Sequence, residues 1–410
     1  MVMIQHQAAT NDAATNKIAR DNFARACQLV KPVSAIQFLA IMAWLMIGVG
    51  CDSSKQSQTS SSPNASTSAS GKSQVLANSA NPQAEIQALL DQAGVKLSTN
   101  AKSGVIESAD FSRVEMSDML AEELAKVDSL VQLVIRQSSL TDAGWSSLSQ
   151  LHGLQNLDLR ECPIGDQQLV TLTTSMLKLR SVRLNGKLGN CDVTDAGTEF
   201  LKNQDQLKLL ALDGVKIGSR TVAQIENCKS LSELYLAGTM VDDAGLASLS
   251  QLSELKKLRL AQTEVSSAGL ASVAGLSLEE LDLSECSKID DAALTTLGKL
   301  TTLKRLNLWS TLVTDAGTQH LSQLARLQWL NLDNTKITDA SLPQLRNLGE
   351  LSFLHLGSTS VSDAGLPELQ SLKALKKLIV TRTQVTQAGV DALQKLMPAV
   401  DIQLQYVAGK

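Results

Sequence analysis

Aromatic side chains are nearly missing from this chain of 410 residues: five Phe, four Trp and two Tyr make up only 3% of it. With 43% of residues hydrophobic, the interior must be filled by Leu, Val, Ile and Ala. Cysteine is also scarce, and six in this length are too few for a fold stapled by disulfides. The four histidines (His6, His152, His320 and His355) stand singly, and neither HExxH nor a paired CxxC occurs. That excludes the common zinc-enzyme patterns and implies no metal or other cofactor. No GxSxG turn is present, and no Ser-His-Asp or Cys-His set can be assembled, so no catalytic residue is assigned. Positive charge is in slight deficit, 37 Lys and Arg against 41 Asp and Glu. Nucleic acid is therefore not an expected partner, because displacing counterions from phosphate needs a dense basic surface.

What is present is segregated along the chain. An uncharged apolar run of eighteen residues extends from Val33 to Gly50, with Lys17, Arg20, Arg25 and Lys31 before it and Cys51 after it. A basic flank, an apolar core and small residues ahead of a cysteine resemble the export signal of bacterial lipoproteins. That resemblance implies lipidation at Cys51 and removal of residues 1–50. The alternative is an uncleaved signal anchor, since eighteen apolar residues are near the lower limit for crossing a bilayer. Both place the remainder outside the cytoplasm, tethered to a membrane. Residues 51–82 follow as a linker; ten of the 21 residues from Ser53 to Ser73 are serine, a composition that cannot offset chain entropy by apolar burial.

A repeat fills the rest. An LxxLxL pattern begins at Leu130, Leu154, Leu179, Leu207, Leu231, Leu255, Leu278, Leu303, Leu327, Leu351 and Leu375, at intervals of 23 to 28 residues. A fainter copy stands one period upstream at Ile106, Ala109 and Phe111, and a strand-like run, Val400 to Leu404, follows the last unit. In LQWLNLDNTKITDASLPQLRNL, Leu327 to Leu348, alternation sends Leu330 and Leu332 inward and Trp329, Asn331 and Asp333 outward. A turn and a helix start come next. Nine units carry Thr, Ser or Asp at the N-cap: Thr141, Thr194, Asp242, Ser266, Asp290, Thr314, Thr338, Ser362 and Thr386. Asp142, Asp195, Asp243, Asp315 and Asp363 follow directly, where a carboxylate suits the positive helix end. Pairs such as Ala316-Gly317 are expected to let the helix approach the sheet.

These units resemble the leucine-rich repeat family, and their Thr or Cys after the strand with TDAGL resembles its cysteine-containing subclass. The resemblance implies an α/β fold: a right-handed leucine-rich repeat solenoid, or horseshoe, with a parallel sheet on the concave face and helices on the convex face. Stacking alone leads to the same shape, because strands lie about 4.8 Å apart while packed helices need roughly 8–10 Å. Residues 83–129 would cap the first end with a degenerate repeat, 130–397 would hold eleven repeats, and 398–410 a final strand and tail. Within the cap, Gln83–Ala93 and Met116–Val127 read as helices, and Val95–Leu97 is expected to pair with Val105–Phe111.

Cys162, Cys191, Cys228 and Cys286 read as small buried hydrophobes. Cys162 and Cys191 belong to neighbouring units, which leaves a cross-link open. On the inner surface, Asp158 and Asp282 lie five repeats apart, too far to share a proton. Four of the eight aromatics after Cys51 fall in the outward columns: Tyr235, Trp309, Trp329 and Phe353. Trp329 should stand between Arg305 and Phe353, with His355 beside them; Tyr235 and Arg259 lie in the next column. Exposed Trp and Arg dominate protein interfaces, so this surface is the expected seat of a protein or peptide ligand. The competing reading is that Arg305, Trp329 and Phe353 merely stack to stiffen the sheet. A carbohydrate is also compatible with concave Trp residues. Two other functions stay open: a self-associating envelope component, and a substrate adaptor of the F-box type, although no F-box-like segment is evident.

Overall fold

The structure, a computed structural model, describes residues 82–187 and 189–405. The apolar run, Cys51 and the serine-rich segment lie outside the described residues. Residues 77–410 form one compact unit. It opens with a helix, Pro82–Gln92, whose Ile86 and Leu90 are buried. The strand Lys96–Thr99 then pairs antiparallel with Ile106–Phe111. Asn100 shapes the turn between them: its side chain accepts from the amides of Lys102 and Ser103 and donates to Glu107 at 2.7 Å. A short helix, Asp118–Leu124, capped by Ser117, completes the segment.

From Ile106–Phe111 onward every strand of the main sheet is parallel to its neighbours, and the sheet reaches fourteen strands in sequence order. Register is one unit per strand, so that Leu306, Leu330, Leu354 and Leu378 stand side by side. All four are fully buried. Burying a leucine of this kind contributes about 2–3 kcal/mol, and the row supplies it once per strand. No unit closes its own apolar edge; each leans on the next.

Immediately after the strand the backbone turns through a left-handed residue in successive units, among them Gln262, Glu285, Ser310, Asn334 and Ser358. The next residue is usually a buried threonine. Thr311, Thr335 and Thr359 each donate their hydroxyl to the carbonyl three residues back at 2.6–2.7 Å. Cys286 fills the same place, its thiol donating to the Leu260 carbonyl at 3.0 Å. A small side chain with a hydrogen to give is what this buried position selects.

The convex layer is not uniformly α-helical. Asp243–Leu249 and Asp291–Leu297 are α-helices, whereas Gly269–Val273, Asp339–Leu345 and Leu366–Ser371 are 3₁₀ helices. Pro343 and Pro367 lack the amide an α-helix would use, and so few residues per unit leave room for about two turns.

All nine expected N-cap side chains accept a first-turn amide, as Thr314 does from Ala316 at 3.2 Å. The aspartate after the cap behaves differently from expectation. It reaches across to the following unit, where it accepts from the amide and the hydroxyl of the next N-cap residue. Asp291 thus holds the Thr314 amide at 2.8 Å and hydroxyl at 2.6 Å. Asp118, Asp166, Asp243, Asp315, Asp339 and Asp363 do the same to Thr141, Thr194, Ser266, Thr338, Ser362 and Thr386. At two junctions the partners are exchanged: Ser219 and Ser267 precede, and Asp242 and Asp290 follow. Each of these junctions keeps one carboxylate and one hydroxyl.

The glycine of TDAG answers to the same contact. A Cβ on Gly317 would lie 2.6 Å from the Asp291 carboxylate, and Gly365 and Gly389 face Asp339 and Asp363 in the same way. The small residue is needed by the neighbouring unit's aspartate, not by the sheet. Behind Ser267, where no carboxylate intrudes, Ala293 takes the position.

Candidate binding surface

Three outward columns line the concave face. In the first, each side chain is engaged by the one on the next strand. Lys257 lies 3.3 Å from Glu233 and 3.8 Å from Glu280, and Arg305 lies 3.8 Å from Glu280. The Arg305 guanidinium sits 4.7 Å above the Trp329 ring, and Trp329 stacks on Phe353 with centroids 5.1 Å apart and planes 7° from parallel. His355 meets Phe353 edge-on at 6.5 Å. The parallel register places these groups opposite one another, and opposite charges and ring faces do the rest.

Arg305, Trp329, Phe353 and His355 are therefore one cluster. Its consequence is that both faces of Trp329 are occupied, by Arg305 and by Phe353, which leaves no open ring face there for a sugar to stack on. Trp309, in the third column, belongs to neither aromatic contact and is 37% exposed.

The second column is more deeply set. Arg259 donates to Asp213 at 2.9 Å and lies 3.2 Å from Asp282, bridging carboxylates from two other strands. Tyr235 donates its hydroxyl to Glu233 at 2.7 Å; burial and that carboxylate raise the phenol's pKa. Tyr235 and Arg259 join Glu280, Asp282, Arg305 and Trp329 around a shallow cavity of about 160 Å³. Nearer the first end, Asp158 is gripped by Arg136 at 2.6 Å and Arg160 at 2.8 Å. Burial alone would raise this carboxyl, but the hydrogen bonds from Arg160 and Arg136 outweigh it and bring it down to about 2. At His355 burial lowers the pKa, with Asp333 opposing.

The charge pairing within the first column went unread in the sequence, although its signal was there in the alternation Glu233, Lys257, Glu280, Arg305. The Arg259–Asp213 bond, spanning 46 residues, had no such signal. Cys162, Cys191, Cys228 and Cys286 are free and buried, so Cys162 and Cys191 are not cross-linked in this structure. Burial pushes Cys162 up to about 11 and Cys228 up to about 12. Among the described residues, no helix is long and apolar enough to cross a membrane, and no cluster of His, Cys, Asp and Glu could hold a metal ion. The expected lipidation site, Cys51, lies outside the described residues.

Residues 276–404 match the family model described as a leucine-rich repeat region. No protein among curated sequences matches the chain. An internalin from Listeria monocytogenes has a similar structure, with 20% identity, 80% of this chain and 91% of that one covered, and a TM-score of 0.56. A leucine-rich repeat protein from Leptospira interrogans is 19% identical over 69% of this chain and 74% of its own, with a TM-score of 0.52. At such identities the likeness is one of fold. The chain is a leucine-rich repeat protein, by sequence across residues 276–404 and by fold across the described residues.

Proposed function

We propose that this chain is a non-catalytic binding protein, exported and held at a membrane by its N-terminal segment, that takes a protein or peptide partner on its concave face. Export and tethering are supported by the basic flank, the apolar run Val33–Gly50 and Cys51. The observation that carries binding is Trp309, a large apolar ring left 37% exposed on a face otherwise closed by its own pairs. Arg305, Trp329, Phe353, His355, Tyr235 and Arg259 form the surface around it. Carboxylates of that face are tied to cations or hydroxyls, as Asp158 is to Arg136 and Arg160, which suits recognition and not proton transfer.

The test is chemical crosslinking in envelope fractions, with the wild type beside a Trp309→Ala/Trp329→Ala variant. A crosslinked partner lost from the folded variant supports the reading. A partner retained at wild-type yield removes the concave face from consideration. Recovery of the protein from cytosol, unlipidated and unanchored, overturns the tethered location. Sedimentation showing concentration-dependent assembly, abolished by the same variant, replaces a foreign partner with a second copy.

A further inference from the structure

Taking the concave face as the binding surface, as above, we infer that the partner covers Trp309 with a basic side chain, for which arginine fits better than lysine. The indole stands between two strands that each bring carboxylates to its side. On one side the Glu285 amide donates to the Trp309 carbonyl at 2.8 Å, and Asp282 lies on the same strand. On the other, Ser310 donates its amide to the Asp333 carbonyl at 2.9 Å, which fixes Asp333 alongside.

Three carboxylates thus flank one exposed ring, and the nearby cations do not balance them. Arg259 is shared between Asp282 and Asp213. Arg305 pairs with Glu280 and lies over Trp329. Glu285, exposed at its left-handed turn, receives only the neutral amide of Gln262 at 2.9 Å. Asp333 lies 4.0 Å from His355, whose imidazole burial keeps below its ordinary pKa.

The chemistry of the occupant follows by elimination. An acidic side chain would be repelled from both flanks. An apolar one would cover the ring but strip water from carboxylates without replacing its hydrogen bonds, which is costly. A guanidinium does both tasks, since its flat face lies on the indole while its edge donates to carboxylate oxygens in pairs.

The experiment selects a random-peptide display library on the immobilised full-length chain and counter-screens binders on Trp309→Ala, with far-UV circular dichroism to confirm that the variant is folded. The expected binders lose at least tenfold in affinity on Trp309→Ala and carry an Arg or Lys. Replacing that Arg by citrulline, or changing the protein by Asp333→Asn/Glu285→Gln, should each weaken them at least tenfold. Binders that need Trp309 but are indifferent to citrulline overturn the basic-residue inference and leave concave-face binding standing. Binders blind to both Trp309→Ala and Trp329→Ala, or a library that yields none dependent on Trp309, overturn the inference; the former sinks concave-face binding with it.

Discussion

Gly317→Ala should be destabilising in this protein and harmless once the aspartate behind it is exchanged. Gly317 lies in the helix Asp315–Thr318, where alanine is ordinarily favoured over glycine by about 1 kcal/mol. Here the added Cβ would fall 2.6 Å from the Asp291 carboxylate oxygen, 2.7 Å from a Leu294 methyl and 3.0 Å from the Asp291 Cα. The carboxylate cannot step aside freely, because the Thr314 amide and hydroxyl hold its two oxygens. Overpacking of this kind costs roughly 1–3 kcal/mol, so the net loss should be about 1–2 kcal/mol.

The exchanged junction removes the obstacle. Ser267 before Asp290 already occurs in this chain, bonded at 2.7 Å, and Ala293 sits behind it. Asp291→Ser with Thr314→Asp copies that arrangement. The single change Asp291→Ala should cost about 2 kcal/mol, because hydrogen bonds to a carboxylate are lost and the part-buried Thr314 amide is left bare. The double exchange should recover most of it. In the exchanged background Gly317→Ala should be neutral or stabilise by up to about 1 kcal/mol. Urea unfolding followed by far-UV circular dichroism, with m-values held constant across the set, measures the difference. A cost for Gly317→Ala that agrees within about 0.5 kcal/mol in the two backgrounds would refute the coupling.

Asp158 gives a pH dependence of definite sign. Its folded carboxyl is lowered from 3.8 to about 2, so its contribution is complete above the ordinary value and is lost as pH falls from about 4 towards 2. On the order of 1–2 kcal/mol of stability, after solvent screening, should disappear from urea midpoints over that range in the wild type but not in Asp158→Asn. Cys162, Cys191, Cys228 and Cys286 are buried, with their thiol pKa values raised by that burial. They should resist alkylation by iodoacetamide at pH 8 in the native protein and react in urea; mass spectrometry of the peptides reads which sites are labelled. Trp329→Ala should lower stability by about 1–2 kcal/mol through the lost Arg305 and Phe353 contacts, while Trp309→Ala should change it by less than about 0.5 kcal/mol. Equal losses would mean that Trp309 is packed after all.

Periodicity made the sheet legible. A leucine at each inward position of an LxxLxL strand has one place to go when every neighbour is the same, and the order of fourteen strands follows from their order in the chain. The helices were less legible, because the same short segment can close as α or 3₁₀ and a single proline, as at Pro343, decides between them. The aspartates were misassigned for a specific reason. Local spacing places Asp291 beside its own N-cap, and nothing in one repeat shows that the amide and hydroxyl it satisfies belong to the next. Two units compared would have shown it: wherever serine replaces the aspartate, the following N-cap becomes aspartate.

Side-chain stacking bears on function in a similar way. Composition and register sufficed to put Arg305, Trp329, Phe353 and His355 together, but not to tell a free aromatic from a saturated one. A partner that covers Trp329 removes little water from a ring already held between a guanidinium and a phenyl group, and it must compete with contacts the protein makes alone. Covering Trp309 removes water from a ring 37% exposed, with unbalanced carboxylates at its edge. Hot spots arise where burial is gained on association, not where it already exists. Of the two tryptophans on this face, Trp309 therefore has the more to contribute to affinity, and Trp329 to the rigidity of the sheet that presents it.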